Sequence, residues 1–250
     1  MTTTSDSALA AEIAQAAGDL LLGIRAEGRE HGKELGQRGD REANALILAR
    51  LRKERPDDFI LSEEARDDRA RCAARRVWIV DPLDGTREYG EGRDDWAVHI
   101  GLAIDGRAAA GAVALPARRR VLRSDDAPVA TPRSNPLRMV VSRSRAPGIA
   151  TRVAAALGAE LVPMGSAGAK AMAVVTGEAD LYLHAGGQYE WDNCAPAAVA
   201  SGAGLHVSRL DGSELAYNCV DPLLPDLLVC RPDILPAVRA AIDRELAASA

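Results

Sequence analysis

The segment VWIVDPLDGTREY, residues 77–89, delivers two aspartates at the end of a short apolar run. The apolar residues 77–80 predict a buried strand, and Asp81 and Asp84 follow it at once. Two ionised carboxylates three residues apart repel each other, and burial at the end of a strand raises that cost. Gly85 permits a backbone bend directly after them. The pattern favours a divalent cation site over an exposed acidic turn.

Other acidic residues also stand beside predicted elements. Glu63 and Glu64 follow the apolar run 59–61, which reads as a second buried strand. Asp40 stands at the start of a predicted helix, and Asp192 precedes an Ala-rich one. Each has a plain structural alternative, because aspartate is a strong helix N-cap and Glu64 fits a solvated surface charge. None of these residues identifies a site by itself.

The first half of the chain predicts an α+β arrangement. Apolar residues recur at helical spacing from Leu9 to Ile24, with Asp6 or Ser7 as the N-cap. A second helix is predicted over 40–55, ended by a proline. Residues 96–115 predict a hairpin that turns at a central Asp-Gly pair.

The second half predicts alternating strands and helices, so the fold class is α/β overall. The polar, proline-rich segment 124–136 predicts the boundary between halves. We therefore expect an α+β metal-binding subdomain at 1–128. An α/β subdomain at 129–250 would contribute Asp192 and the nucleotide contacts.

Composition limits the partners. The net charge is −5 and no long Lys/Arg run occurs, which argues against nucleic acid or a membrane surface as the main partner. The four cysteines form no CxxC pair, which is typical of thiols in a reducing compartment. The first 25 residues carry no basic leader, and charged residues interrupt their apolar pattern, so neither a signal peptide nor a membrane span is expected. These features predict a cytoplasmic protein.

Together, an acidic residue after one strand, DPLDGT after the next and WD before an Ala-rich helix resemble the inositol monophosphatase superfamily. Arg87, Glu88 and Tyr89 continue the motif as in its CysQ-type 3′(2′),5′-bisphosphate nucleotidases. The segments DDWAVHI, VSRSR, MGSAGAK and YEWD resemble actinobacterial members of that branch. The resemblance implies a layered αβαβα sandwich and lithium-sensitive, Mg²⁺-dependent phosphatase activity.

The resemblance also implies roles for individual residues. The implied metal ligands are Glu63, Asp81, the backbone carbonyl of Leu83, Asp84 and Asp192. Thr86 and Glu63 would orient the attacking water, and Asp40 would lie near a third, weaker metal beside the two main ones. Magnesium prefers oxygen ligands, which agrees with a site made of carboxylates. The four histidines are expected to be structural or surface residues.

Substrate contacts are expected from three segments. The implied residues are Gly85, Thr86, Arg87, Ser142, Arg143, Ser166 and Lys170. The segment MGSAGAK offers backbone N–H groups at a helix start, which hold phosphate well. It also fits a plain helix cap with a solvated lysine, and Arg143 fits an exposed strand end. The segment does not satisfy the Walker A pattern.

The implied reaction is removal of the 3′-phosphate of 3′-phosphoadenosine 5′-phosphate, and of its sulfated form, in sulfate assimilation. The alternatives are an inositol-1-phosphate or fructose-1,6-bisphosphate phosphatase, and a non-catalytic regulator that binds metal or nucleotide. The partner is then a small phosphorylated nucleotide, and relatives are often homodimers. Many relatives carry Val-Thr ahead of the residue that matches Asp40, where this chain has residues 36–39, GQRG. Cys194 stands where many relatives carry a small apolar residue in the helix after WD.

Overall fold

Two five-stranded sheets organise the chain, and each has helices on both faces. The computed structural model describes residues 4–126, 128 and 132–248. The predicted boundary between 128 and 129 touches residues outside those ranges, so the two subdomains stay a prediction.

The first sheet is built from residues 59–123. The helices of this half are α1 (Asp6–Glu27), α2 (Gly32–Glu54) and the short α3 (Thr86–Gly90). The strands are β1 (Phe59–Ser62), β2 (Arg76–Asp84), β3 (Ala97–Ile104), β4 (Arg107–Leu115) and β5 (Arg120–Arg123). They lie side by side in sequence order, with β1 parallel to β2 and the other pairs antiparallel. The predicted hairpin is confirmed, and Asp105 and Gly106 both have the positive φ of its tight turn.

By length and composition alone, helix α1 is long and apolar enough to cross a membrane. Its apolar face, however, is buried in the core with the first sheet, and Ile13 and Leu21 are fully covered. The helix therefore has the packing of a core helix. Its N-cap is Ser5, whose side chain accepts a hydrogen bond from the N–H of Ala8, so the prediction of Asp6 or Ser7 was wrong by one or two residues.

Helix α2 begins eight residues before the predicted start at Asp40. The predicted start treated the glycines ahead of Asp40 as loop residues, but they provide close packing. A Cβ on Gly36 would lie 2.5 Å from Cγ2 of Thr86, and one on Gly39 would lie 2.9 Å from Cδ2 of Leu21. Asp40 is consequently buried inside the helix and does not cap it.

The second sheet has the strand order β7-β6-β8-β10-β9. Its strands are β6 (Arg138–Ser142), β7 (Glu160–Met164), β8 (Leu181–Tyr189), β9 (His206–Ser208) and β10 (Leu223–Cys230). The helices are α4 (Gly148–Leu157), α5 (Ala167–Val175), α6 (Glu190–Gly202) and α7 (Leu235–Ala247). Strand β6 is parallel to both of its neighbours, and β10 is antiparallel to both of its own. Helix α6 begins before Asp192, so this residue lies in the first turn and is not the N-cap.

Five layers result from this order. Helices α1 and α2 cover the outer face of the first sheet, α5 and α6 lie between the sheets, and α4 and α7 cover the second sheet. The predicted αβαβα sandwich is confirmed. Helix α6 reaches the first sheet because Gly101 and Gly111 lack side chains. A Cβ on either glycine would lie 3.2 Å or less from atoms of Ala195.

We expect Gly101→Val to lower the free energy of unfolding by about 1–3 kcal/mol, because its side chain would overlap the backbone of α6. Gly23→Ala is the matched control. Gly23 is exposed inside α1 with open space around it, so alanine should raise stability by about 0.5–1 kcal/mol. Urea denaturation of both variants measures the difference. An unchanged midpoint for Gly101→Val would contradict the close contact between β3 and α6.

Candidate active site

Three aspartates meet where the two sheets face each other. Asp81 and Asp84 come from the end of β2, and Asp192 comes from the first turn of α6. One oxygen of each lies within 4.8 Å of the others. Asp81 and Asp84 are buried, and Asp192 is half-buried. The predicted meeting of these residues is found in the structure.

An irregularity in β2 allows the two neighbouring aspartates to converge. Residues three apart in an ideal strand point to opposite faces of the sheet. The pairing with β3 shifts between Asp81 and Asp84, as in a β-bulge, and Gly85 then turns the chain at φ 87° into α3. Both carboxylates therefore point to the same side and meet Asp192 there. We call Asp81, Asp84 and Asp192 the acidic cluster.

Burial and mutual repulsion make most of the local acids weak. Burial, followed by the charges of Glu63, Asp84 and Asp192, raises the pKa of Asp81 well above its ordinary value. Burial and the charge of Asp84 raise the pKa of Asp192 to about 6. A divalent cation among these groups would remove the repulsion, and oxygen donors suit Mg²⁺.

Asp84 is the exception, because other groups stabilise its charge. Burial opposes ionisation, but attraction to His99 and hydrogen bonds from Ser166 and Gly168 outweigh it and lower the pKa to about 2. The N–H of Gly168 donates to Oδ2 at 2.6 Å, the hydroxyl of Ser166 donates to the same oxygen, and His99 Nε2 lies 3.2 Å away. The start of α5 thus holds Asp84 as an anion.

Glu63 approaches the acidic cluster from its solvent side. Its backbone N–H donates to the carbonyl of Val80, which continues the pairing of β1 with β2 and brings the residue beside Asp81. Part of the residue is exposed to solvent, but nearby protein atoms desolvate its carboxyl group. This desolvation, followed by the charge of Asp192, raises its pKa to about 7. Glu64 is exposed, which agrees with its interpretation as a solvated surface charge.

Thr86 joins the turn after β2 to helix α2. Its hydroxyl donates to the carbonyl of Leu83 at 3.1 Å and lies 3.4 Å from Oδ1 of Asp40. Burial, followed by the charges of Glu64 and Glu63, raises the pKa of Asp40 to about 7. Asp40 and Thr86 therefore belong to one polar group beside the acidic cluster.

A polar cavity of about 250 Å³ opens beside the acidic cluster. Six of the predicted residues line it: Asp84 and Gly85, Ser142 from β6, Ser166 and Lys170 from the start of α5, and Asp192 from α6. The serine hydroxyls and the lysine ammonium can donate hydrogen bonds to anionic oxygens, so the cavity suits a phosphorylated ligand.

Lys170 is buried, which contradicts the alternative of a solvated lysine. Its Nζ donates to the carbonyl of Ser166 at 2.8 Å and to that of Gly165, and it lies 5.5 Å from the centre of the Tyr182 ring. Burial lowers its pKa. Ser166 caps α5 by accepting the N–H of Ala169, so the predicted cap exists together with the contact to Asp84.

The two predicted arginines lie at the rim, with their charges compensated. Arg87 is exposed on α3, pairs with Glu91 at 2.8 Å and lines a second cavity of about 450 Å³. Arg143 pairs with both Glu88 and Glu91 at 2.6 Å. Their contact with a substrate stays a prediction.

Two histidines lie at the site, although the sequence predicts only a structural or surface role for them. His99 is fully buried, its Nδ1 lies 3.0 Å from the carbonyl of Trp191, and it faces Asp84. His184 lines the cavity, where burial and the charge of Lys170 lower its pKa to about 4. Only the register of β2 with β3, which pairs Asp81 with His99, could have indicated the first.

The sequence matches the Inositol monophosphatase family over residues 3–243. The chain belongs to this family. A 3′-phosphoadenosine 5′-phosphate phosphatase of Mycobacterium leprae is 55% identical over 253 residues, 95% of this chain and 93% of that protein. The 3′(2′),5′-bisphosphate nucleotidase CysQ of Salmonella typhimurium is 31% identical over 193 residues, 72% of this chain and 78% of that protein.

The fold comparison agrees with this membership. The crystal structure of CysQ from Bacteroides thetaiotaomicron, a bacterial member of the inositol monophosphatase family, superposes with a TM-score of 0.78. It is 27% identical and covers 90% of this chain and 97% of that chain. Enzymes of the inositol monophosphatase family depend on a metal ion, and the acidic cluster has the oxygen donors that such an ion needs.

The raised pKa values predict a pH-dependent effect of Mg²⁺ on stability. Acids whose pKa is higher in the folded state bind protons more tightly there, so the metal-free protein should lose stability as pH rises from about 4 to about 7. Mg²⁺ replaces those protons, so the rise in melting temperature that it causes should grow across the same interval.

Melting curves in EDTA and in Mg²⁺ at a series of pH values test this expectation. Asp192→Asn should reduce the effect of Mg²⁺, and Asp243→Asn, at an exposed position on α7, should retain it. A Mg²⁺ effect that is independent of pH, or equal in both variants, would contradict the acidic cluster as the binding site.

Proposed function

We propose that this protein is a Mg²⁺-dependent phosphomonoesterase that converts 3′-phosphoadenosine 5′-phosphate to AMP and phosphate, and that it also accepts the sulfated nucleotide. The supporting observation is the 55% identity, over 95% of the chain, to a 3′-phosphoadenosine 5′-phosphate phosphatase. The acidic cluster alone fits any metal-dependent phosphatase of the family. The relative therefore supports the substrate and the acidic cluster supports the chemistry.

We propose that two Mg²⁺ ions bind at the acidic cluster and that a third, weaker one binds near Asp40. The ligands would be Glu63, Asp81, the Leu83 carbonyl, Asp84 and Asp192. Bound Mg²⁺ supplies charge neutralisation for the phosphoryl group and a lower pKa for the attacking water. The pKa values of the metal-free acids, raised by burial and repulsion, support this assignment.

Thr86 orients the attacking water in this proposal. Its Oγ1 lies between the Leu83 carbonyl and Asp40, so the hydroxyl has a fixed position next to the acidic cluster. Asp40 lies 3.4 Å from this hydroxyl, Glu63 is close enough to raise the pKa of Asp40, and a carboxylate can act as a general base. Thr86 aligns the nucleophile, and a carboxylate takes its proton.

The polar cavity holds the rest of the substrate. Lys170 and Ser166 border it at the start of α5, and Ser142 borders it from β6. The lysine charge and the serine hydroxyls favour an anionic ligand there. Gly85 keeps this edge open, since a Cβ at its position would lie 3.1 Å from that of Ser166.

We further propose that the enzyme works in the cytoplasm, where it clears a by-product of sulfate assimilation, and that lithium inhibits it. Its four cysteines are free, in keeping with a reducing compartment. The homodimer stays a prediction. The alternative of a silent regulator is disfavoured because the sequence carries every implied carboxylate and Thr86.

Phosphate release tests the proposed function. The purified protein with Mg²⁺ should hydrolyse 3′-phosphoadenosine 5′-phosphate with a higher kcat/KM than inositol 1-phosphate or fructose 1,6-bisphosphate, and lithium should inhibit it. Asp84→Asn should abolish turnover. A sugar phosphate as the best substrate would reject the nucleotide assignment but keep the acidic cluster. No turnover of any substrate would favour the regulator.

Replacement of Thr86 should separate chemistry from binding. Thr86→Ala should lower kcat by about 10²- to 10⁴-fold with little change in KM, because the loss affects the attacking water and not the nucleotide. Thr86→Ser, which keeps the hydroxyl, should restore most of kcat. Steady-state kinetics with 3′-phosphoadenosine 5′-phosphate measure both constants. A rise in KM with unchanged kcat would instead show that Thr86 acts in substrate binding.

A further inference from the structure

A stacked aromatic pair stands directly beside the acidic cluster. The rings of Tyr189 and Trp191 have their centroids 4.7 Å apart and their planes inclined by 9°. Trp191 packs against the apolar cluster that includes Ile79 and Cys194, whereas Tyr189 is 44% exposed. The inner ring is therefore fixed in the core, and the outer ring presents surface to solvent.

Hydrogen bonds attach this pair to the candidate active site. The backbone N–H of Tyr189 donates to Oδ2 of Asp192 at 2.6 Å. The carbonyl of Trp191 lies 3.0 Å from Nδ1 of His99, which faces Asp84. The aromatic pair thus has a defined position relative to the atoms that would hold the reacting phosphate.

Further apolar surface continues from Tyr189 to the mouth of the polar cavity. Leu223 pairs with Tyr189 across β8 and β10 and is 47% exposed. Its Cδ1 lies 3.6 Å from where a Cβ on Gly187 would stand, and Gly187 lines the cavity. We call Tyr189, Trp191 and Leu223 the aromatic platform. Gly187 and Asp192, which flank Tyr189 and Trp191 along the chain, line the polar cavity.

We propose that the aromatic platform stacks the purine base of the nucleotide substrate. This inference rests on the proposed function. The phosphates and ribose of such a substrate need charge and hydrogen bonds, which the acidic cluster and the polar cavity supply. The base needs a flat apolar surface, and an exposed ring supported from below by a second ring is typical of base stacking. The aromatic platform gives the site its preference for a nucleotide over a sugar phosphate.

Two substrates that differ only in the base test the proposal: 3′-phosphoadenosine 5′-phosphate and ribose 3,5-bisphosphate. Tyr189→Ala should raise KM for the nucleotide about 5- to 100-fold, with a much smaller effect on kcat. It should leave the kinetics of ribose 3,5-bisphosphate nearly unchanged. Tyr189→Phe should restore the low KM, because it keeps the ring. Leu246→Ala removes an equally exposed apolar side chain on α7 and serves as the control.

Two further measurements separate this proposal from its competitors. Calorimetric titration of AMP into the Mg²⁺-loaded protein should show weaker binding for Tyr189→Ala, without any reliance on turnover. Sedimentation velocity should show the same oligomeric state for wild type and variant.

Three outcomes would overturn the inference. Equal losses with both substrates would mean that Tyr189 only supports Asp192, and a change in oligomeric state would mean that the aromatic platform covers a second copy of the chain. Unchanged nucleotide KM and AMP affinity would exclude stacking. In all three the wild type still hydrolyses the nucleotide, so the proposed function survives. A wild type that neither hydrolyses the nucleotide nor binds AMP would reject both proposals.

Discussion

Repulsion among buried carboxylates is the constraint on which the rest of the site depends. Asp81, Asp84 and Asp192 are held with oxygens within 4.8 Å, although each negative charge opposes the ionisation of the others. Such an arrangement persists only if surrounding structure fixes it, and here β2, β3, α5 and α6 all take part. A cation bound at the acidic cluster would recover the stability that this clustering costs, because only the folded form brings the three carboxylates together.

Asp84 differs from its neighbours because surrounding groups stabilise its negative charge. Its carboxylate accepts hydrogen bonds from Ser166 and from the N-terminal turn of α5 and lies beside His99, so it carries a charge at any working pH. Asp81 lies deeper, with one hydrogen bond from the N–H of Leu83, and its pKa is raised. The pKa values of two neighbouring aspartates on one strand are thus shifted in opposite directions, and the groups that lower the pKa of Asp84 lie on β3 and at the start of α5.

Much of this could be read from the sequence, because motifs and local patterns determine it. The apolar runs predict β1 and β2, and the Asp-Gly turn predicts the hairpin. The family resemblance carried by DPLDGT and WD implies which acids meet. Local patterns failed where packing decides the structure. The glycines before Asp40 signal a loop in isolation, but they form helix because α3 and α1 approach them. His99 gave no signal, because its role depends on a strand register that no short motif encodes.

The acidic cluster draws its residues from both halves of the chain, and this has a consequence for how the molecule unfolds. Asp81 and Asp84 belong to a strand of the first sheet, whereas Asp192 and the donors to Asp84 belong to helices that follow strands of the second. Neither half alone contains the full set of ligands. A metal ion bound at the acidic cluster would therefore connect the two halves, and its removal should loosen their contact before either sheet unfolds. Amide hydrogen exchange would detect this loosening first along α6 and the start of α5.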